Sequence, residues 1–216
     1  MEKPLRLIYC NQVDLTERTG QGTHEKEMSA LLLRDGEIDG VYVGQKPKGD
    51  HPYDNHANVK FLPIKKNALG YLGYQVRLFL ALWKLTKVPS VVIFQRYAPA
   101  MIAPTFVAKL RGVPLVTRTG PIIRNLSVYD KISFRLFRNL LNIFVSLNYR
   151  ASDRLVVVTD TIRQYVLKNY NLSPEKMHII GNGFSSEVFH ILNHSPDDSY
   201  DCQVFFAGSF HKDTGI

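Results

Sequence analysis

Short, continuously apolar segments alternate with amphipathic segments along most of the chain. The apolar segments are rich in Val and Ile, as expected of strands that are buried on both faces of a sheet. They lie at residues 5–10, 39–44, 59–63, 90–95, 113–118, 154–159 and 177–181. Segments with helical periodicity lie between them, at residues 23–34, 66–87, 100–111, 129–150 and 159–170. The alternation predicts an α/β domain over residues 1–185, with a doubly wound parallel sheet and helices on both of its faces.

The end of the chain differs in character from the rest. Residues 186–201 are polar, include Pro196 and several aspartates, and are typical of a linker. The next residues, CQVFFAG, form a buried-strand pattern that ends in a glycine. Residues 202–216 are therefore predicted to begin a second domain, which we expect to be truncated.

Positive charge is concentrated in the middle of the chain. The formal net charge is +8, and between residues 60 and 154 sixteen Lys and Arg stand against only Asp130 and Asp153. This distribution predicts an anionic partner, either a phosphate-bearing ligand, an anionic membrane surface or nucleic acid. Nucleic acid is the least favoured of the three, because no recognised motif or aromatic platform accompanies the charge.

The two long helices of this basic region are amphipathic. Helix 66–87 has a basic stripe beside an apolar stripe made of Leu69, Leu72, Val76, Phe79, Leu80 and Trp83. Helix 129–150 has a similar basic face, opposed by Leu136, Leu140, Leu141, Phe144 and Leu147. We expect the apolar stripes to cover the sheet, which leaves the basic stripes to attract an anionic membrane surface without inserting. Neither helix is predicted to span a bilayer, because arginines interrupt their short apolar runs.

The two cysteines, Cys10 and Cys202, each fall within a predicted strand. Such positions predict reduced core thiols, as in cytoplasmic proteins, and not a disulfide framework or a metal site. The N-terminal sequence shows no long apolar core and no small-residue cleavage site, so no secretory signal is predicted. We therefore expect a cytoplasmic protein that is peripheral at the inner face of the membrane.

A glycine-containing segment, TGQGTHE, lies between the first predicted strand and the first predicted helix. Glycines at the carboxyl end of a parallel strand let backbone N–H groups approach a phosphate, which makes Gly20 and Gly22 candidate phosphate-binding residues. The segment lacks the third glycine of a dinucleotide fingerprint and the lysine of a Walker motif, so taken alone it favours a plain turn. His24 either faces a ligand or caps the helix.

Residues 150–189 contain an ordered series of short motifs. They are Ala151 and Asp153 before a Val-rich strand that ends at Thr159, then Pro174-Glu175-Lys176, Ile179-Ile180, Asn182-Gly183 and Val188-Phe189. In order and spacing, this series resembles the end of the N-terminal domain in retaining glycosyltransferases of family 4, which have the GT-B fold. The glycine segment and VFFAGSF at 204–210 also match that family, so the resemblance covers nearly the whole chain.

The resemblance implies an active-site cleft between two Rossmann-like domains, of which the first holds the acceptor and the second holds a nucleotide sugar. By position, it assigns the donor phosphates to Gly20, Gly22, Gly208, Ser209 and Lys212. It assigns the acceptor side of the cleft to His24, Arg96, Arg118, Thr119 and Asn182. Many relatives carry a histidine just past the fifth strand, where this chain has Arg118 and Thr119, so no catalytic residue is assigned. A structural salt bridge is an equal alternative for either arginine.

These features predict the N-terminal part of a glycosyltransferase that moves a sugar from a nucleotide-sugar donor to a lipid-linked or polysaccharide precursor. The resemblance implies retained anomeric configuration, no cofactor and no metal. The tail lacks the Arg and Lys-Gly residues that clamp donor phosphates in relatives, and the sequence lacks their donor-sugar glutamates, so we expect the chain alone to be inactive. The alternative is a non-catalytic, membrane-associated acceptor-binding subunit of a split enzyme, whose partner chain supplies the donor domain.

Overall fold

The computed structural model describes residues 4–16, 20–49, 51, 53–65, 67–96, 101–119 and 132–181. Seven strands form one parallel sheet: β1 (Arg6–Cys10), β2 (Asp39–Gln45), β3 (Val59–Leu62), β4 (Val91–Arg96), β5 (Leu115–Arg118), β6 (Arg154–Val157) and β7 (Met177–Ile179). Five α-helices connect them: α1 (Gly20–Arg34), α2 (Ala68–Leu85), α3 (Ala103–Arg111), α4 (Ile132–Ala151) and α5 (Asp160–Tyr170). The predicted α/β fold with a doubly wound parallel sheet is confirmed.

The strand order creates a crevice in the middle of the sheet. The order is β3-β2-β1-β4-β5-β6-β7, so the chain first builds outward from β1 to β3 and then returns to β4 and builds the other way. Strands β1 and β4 are neighbours, and Cys10 pairs with Gln95 near their carboxyl ends. In open parallel sheets, the helices leave on opposite faces at such a reversal, and ligands bind in the crevice that results.

Different helices pack on the two faces of the sheet. On one face, α2 and α3 pack over the largest hydrophobic cluster, which includes Ile8 and Ile93. On the other face, α1 packs over β1 and β2 against Tyr9 and Tyr42. Gly40 permits this second contact, because a Cβ atom there would overlap the backbone carbonyl oxygen of α1 residue 32. The absence of a side chain at Gly40 therefore lets α1 pack closely against β2.

Polar side chains define several helix ends. Thr159 caps α5 by accepting a 3.3 Å hydrogen bond from the backbone N–H of Ile162. The Pro174-Glu175-Lys176 motif forms a short 3-10 helix. Gln75 on α2 caps a different helix, since its Oε1 accepts from the backbone N–H groups at the start of α3. This amide links the two helices that cover the same face of the sheet.

The prediction of a glycine loop before the first helix is wrong in its boundary. Helix α1 begins at Gly20, so Gly20 and Gly22 belong to its first turn and not to a preceding loop. Glycine disfavours a helix by only about 1 kcal/mol, and tertiary contacts readily override that preference. Here Glu25, one turn further on, is fully buried and fixed by contacts with the sheet. His24 lies within α1 and does not cap it.

The prediction that the apolar stripe of helix 66–87 covers the sheet is wrong for four of its six residues, whereas Phe79 and Trp83 are partly buried and pack against the core. The side chains of α2 that enter the core are Tyr74, Leu78, Ala81 and Leu82. Four members of the predicted stripe are exposed instead: Leu69, Leu72, Val76 and Leu80. Apolar residues occupy most of the circumference of α2, and a sheet can bury only one arc of a helix. For helix 129–150, Leu147 is exposed as well, while the side chains of residues 132–141 lie outside the described part.

The predicted linker at 186–201 and the predicted strand within 202–216 lie outside the described residues. The same holds for Asn182, Gly208, Ser209 and Lys212. In the part of the chain that the structure describes, no helix is both long and apolar enough to cross a membrane.

Candidate functional site

The candidate site lies where the strand order reverses. Strands β4 and β5 end at Arg96 and Arg118, and β1 ends one residue before Asn11. All three strands run in the same direction, so their ends meet at one edge of the sheet. Helix α1 follows β1 and places His24 and Glu25, in its second turn, at the same edge. The topology thus brings together residues that are far apart in the sequence.

Glu25 is the centre of a buried polar cluster. Its side chain is fully buried, and its Oε2 accepts hydrogen bonds from the Tyr9 hydroxyl and from Nδ2 of Asn11, the latter at 2.6 Å. Its other oxygen, Oε1, is ion-paired with the guanidinium of Arg96, a largely buried side chain. A carboxylate can be buried only if it is paired and hydrogen-bonded, and Glu25 meets both conditions through β1 and β4.

Tyr9 acts in this cluster as a donor. Burial, and after it the neighbouring Glu25 carboxylate, raises the pKa of Tyr9 well above its ordinary value. The phenol therefore keeps its proton and donates a hydrogen bond to Glu25. Its ring stacks on Phe94 of β4, with ring centroids 5.3 Å apart, which fixes the hydroxyl in place.

His24 contacts the second arginine of the site. The guanidinium of Arg118 donates a hydrogen bond to Nε2 of His24. Burial, and after it the positive charge of Arg118, lowers the pKa of His24 below its ordinary value. The imidazole is therefore neutral at neutral pH, and since its Nε2 accepts from Arg118, its proton resides on Nδ1. Burial also lowers the pKa of Arg118, but a guanidinium stays charged at neutral pH.

Thr119 follows Arg118 and brings a buried hydroxyl to the same edge. Its backbone N–H donates to the carbonyl oxygen of Val156 at 2.8 Å, which holds the residue beside β6. Its Oγ1 is buried, and among the described residues it has no hydrogen-bond partner. A buried hydroxyl in this condition is available to a ligand that enters the crevice.

Two permanent cations lie among the described residues of the site. Arg96 and Arg118 are two permanent cations, Glu25 is the carboxylate paired with one of them, and neutral His24 adds no charge. Guanidinium groups bind phosphate oxygens in a bidentate manner, and a partly buried site strengthens such contacts. The arrangement is therefore suited to an anionic group, of which phosphate is the best match in shape.

Sequence reasoning identified one half of this cluster and missed the other. The structure brings together His24, Arg96, Arg118 and Thr119, and it shows that Arg96 has a carboxylate partner. Glu25 was missed together with its donors Tyr9 and Asn11. One signal could have found it, because Glu25 shares a helical face with Met28 and Leu32, and a carboxylate on an apolar face needs buried partners.

Other expectations concern thiols and metals. Cys10 is a buried free thiol, and burial raises its pKa, as expected of an inert core cysteine. Within the described ranges, no three His, Cys, Asp or Glu side chains are grouped as a metal site requires. Metal independence of the reaction stays a prediction from the family resemblance.

The fold is that of the Rossmann-like half of the GT-B fold. The chain belongs to Glycosyltransferase Family 4, whose family model matches residues 18–188. No curated protein matches the chain significantly in sequence.

Solved structures with the same fold are distant in sequence. The lipopolysaccharide outer core galactosyltransferase WaaB is 10% identical with a TM-score of 0.56, and the match covers 91% of this chain and 50% of that one. Anabaena Alr3699/HepE, in complex with UDP and glucose, is 13% identical with a TM-score of 0.56 over 90% and 48% of the two chains. A glycosyltransferase from Rickettsia africae ESF-5 is 13% identical with a TM-score of 0.53 over 91% and 48%. The chain thus spans about half the length of these structures.

Proposed function

We propose that this chain is the acceptor-side domain of a glycosyltransferase that moves a sugar from a nucleotide-sugar donor to a lipid-linked or polysaccharide precursor. The observation that carries the proposal is the pair of arginines, Arg96 and Arg118, that the structure places side by side with His24 and Glu25 at the strand reversal. A nucleotide sugar and a lipid-linked precursor both carry phosphates, which are the groups this site fits.

The proposed role of the arginines is electrostatic. When a nucleoside diphosphate leaves the sugar, negative charge grows on its phosphate oxygens, and fixed cations at that place lower the barrier. Arg118, which donates to His24, and Arg96, which is ion-paired with Glu25, are the candidates for this contact. The first turn of α1, which contains Gly20 and Gly22, adds backbone N–H groups at the same edge of the sheet.

We propose that the transfer retains anomeric configuration and needs no metal ion, as the family resemblance implies. Preorganised cations and the leaving diphosphate then stabilise a glycosyl-cation-like centre. In this scheme His24 positions Arg118 and does not act as a general base, since its Nε2 lone pair is used by the guanidinium. Thr119 offers its buried hydroxyl to the acceptor or to the donor phosphate.

The donor side of the cleft is proposed to come from a second domain. The Anabaena structures contain UDP, UDP and glucose, or UDP-glucose, which supports a nucleotide sugar as the donor here. We propose that the second domain is either on the same polypeptide or on a partner chain. In the latter case the present chain is the acceptor-binding subunit, and in both cases the reaction takes place at the cytoplasmic leaflet.

The test begins with the protein as its own cell makes it. Its intact mass and any chain that co-purifies with it are determined, and the preparation is assayed for release of nucleotide from UDP- and GDP-sugars in the presence of a membrane lipid extract. We expect turnover by the native preparation and no turnover by the 216-residue chain alone. Turnover by the isolated chain contradicts the need for a second domain, and no turnover by the native preparation contradicts the proposed function.

A further inference from the structure

Helix α2 presents apolar side chains to solvent as well as to the core. Its inner arc, which includes Tyr74, Leu78 and Leu82, is completely buried. On the outer side, Leu69, Leu72, Val76 and Leu80 are between 52% and 83% exposed. At 3.6 residues per turn, these four residues fall within an arc of about 80°, so they form a single line along the helix.

The neighbouring helix also exposes large apolar side chains. Helix α3 lies alongside α2, since Gln75 contacts the start of α3 and Trp83 contacts its end, where Arg111 lies 3.6 Å above the indole ring. On α3, Phe106 and Leu110 are also more than half exposed. We refer to the six side chains as the apolar ridge: Leu69, Leu72, Val76, Leu80, Phe106 and Leu110.

The charged side chains of α2 and α3 are all of one sign. Residues 60–129 contain no Asp or Glu, so neither α2 nor α3 carries an acidic side chain. Arg77, Lys84 and Lys87 are exposed and lie at or just beyond the outer side of α2. Exposed apolar patches mark interaction sites, and the cations that these two helices carry beside the patch favour an anionic partner.

We propose that the apolar ridge docks on an anionic lipid bilayer, with its side chains at the boundary between headgroups and acyl chains. Arg77, Lys84 and Lys87 contact the lipid phosphates beside it. A line of large apolar residues flanked by Lys and Arg is the pattern of helices that lie in the membrane interface. A second copy of this chain is a poor occupant, because pairing two such faces brings cations against cations. The inference goes beyond the proposed function and does not require that the chain transfers a sugar.

The chain contains its own optical reporter for this docking. Trp83 is the sole tryptophan of the sequence, and it lies between the outer line of α2 and α3, with its ring stacked on Phe79 at a centroid distance of 5.6 Å. Insertion of the apolar ridge moves this indole into a less polar environment. A shift of its emission to shorter wavelength therefore reports docking at the predicted place.

The test measures binding to vesicles made of equal parts phosphatidylglycerol and phosphatidylcholine, and to vesicles of phosphatidylcholine alone, by co-sedimentation and by Trp83 emission. We expect binding to the anionic vesicles, weakened at about 1 M salt, where the screening length is about 3 Å. The double variant Leu72→Ser and Val76→Ser is expected to bind at least about tenfold more weakly, since two buried apolar side chains are lost. Arg77→Gln is expected to weaken binding about threefold to tenfold.

The matched control is Leu31→Ser. Leu31 is also an exposed leucine, but it lies on α1, on the opposite face of the sheet. We expect this variant to bind vesicles as the wild type does. Failure of the wild type to bind, or equal binding by the control and the double variant, overturns the proposal. So does a concentration-dependent dimer that the double variant abolishes, because the apolar ridge would then bind a second copy.

Discussion

A typical surface helix buries its apolar side chains and exposes its charged ones, and α1 and α2 each depart from this pattern in a different way. Helix α1 buries a carboxylate, Glu25, under the sheet edge, whereas α2 turns four large apolar side chains to solvent. The carboxylate is compensated within the chain, by Tyr9, Asn11 and Arg96. The outer apolar side chains of α2 are not buried by any of the described residues. The buried carboxylate of α1 therefore defines a site within the chain. The exposed apolar side chains of α2 indicate a partner outside it.

Removal of the buried carboxylate gives the largest expected effect on stability. Glu25→Ala leaves the largely buried guanidinium of Arg96 without its partner, which we expect to lower the free energy of unfolding by about 3–5 kcal/mol. Denaturant unfolding followed by circular dichroism measures this loss. Glu27→Ala, at an exposed position of the same helix, is the control and should leave stability nearly unchanged. A loss for Glu25→Ala as small as that of the control would show that the cluster does not anchor α1.

The close approach of α1 to β2 gives the next largest effect. A Cβ atom at Gly40 would overlap the backbone oxygen of residue 32, so Gly40→Ala forces α1 away from the sheet. We expect a loss of about 1–3 kcal/mol in the free energy of unfolding, as for other overpacked contacts. Gly36→Ala is the matched control, because a Cβ atom there meets nothing within 4 Å. Equal free energies of unfolding for the two variants would contradict the close packing of α1 against β2.

The His24–Arg118 contact predicts a pH dependence of stability. The pKa of His24 is lowered in the folded protein, so below the ordinary histidine pKa of about 6.5 the unfolded chain binds more protons than the folded one. The stabilisation from neutral His24 is therefore complete above about pH 6.5. It is lost as the pH falls from that value through the lower pKa that His24 has in the folded protein. His24→Gln removes the titration, so its unfolding free energy should fall less between about pH 8 and about pH 5 than that of the wild type. His51, whose pKa is also lowered, is present in both proteins and serves as an internal reference. Parallel pH profiles would contradict a neutral His24.

The outer side chains of α2 give the smallest effect on stability. Leu72→Ser and Val76→Ser remove exposed side chains, so each should change the free energy of unfolding by no more than about 0.5 kcal/mol. Leu78→Ala, on the inner arc of the same helix, should cost about 2–5 kcal/mol. Thermal unfolding of the three variants distinguishes the two arcs. A cost for Leu72→Ser close to that for Leu78→Ala would show that the outer line is covered.

The sequence predicts the architecture well because periodicity and strand composition act locally. The seven strands and five helices follow from Val- and Ile-rich runs that alternate with amphipathic segments, and the edge residues Arg96, Arg118 and Thr119 follow from the ends of those runs. The helix cap at Thr159 is also local, since it depends on residues three apart. These features need no knowledge of which segments meet in space.

What the sequence does not predict depends on contacts between distant segments. The Glu25 cluster joins residues 9, 11, 25 and 96, and neither the spacing nor the types of these residues form a motif. The sequence also does not predict which arc of α2 enters the core, because apolar residues cover most of its circumference and only packing decides between them. The start of α1 at Gly20 likewise depends on tertiary contacts that overcome the low helix propensity of glycine.

The central claim is that Arg118, held by His24 at the edge of the sheet, binds the phosphates of a glycosyl-transfer reaction. It is tested most directly by kcat/KM for nucleotide release by the native preparation, with any partner chain present, for Arg118→Gln and for Arg34→Gln, an exposed arginine of α1. Loss of a hydrogen bond to a charged group predicts a fall of about tenfold or more for Arg118→Gln, with circular dichroism unchanged. The Arg34 variant should retain the wild-type value. Equal kcat/KM for the two variants would contradict the claim.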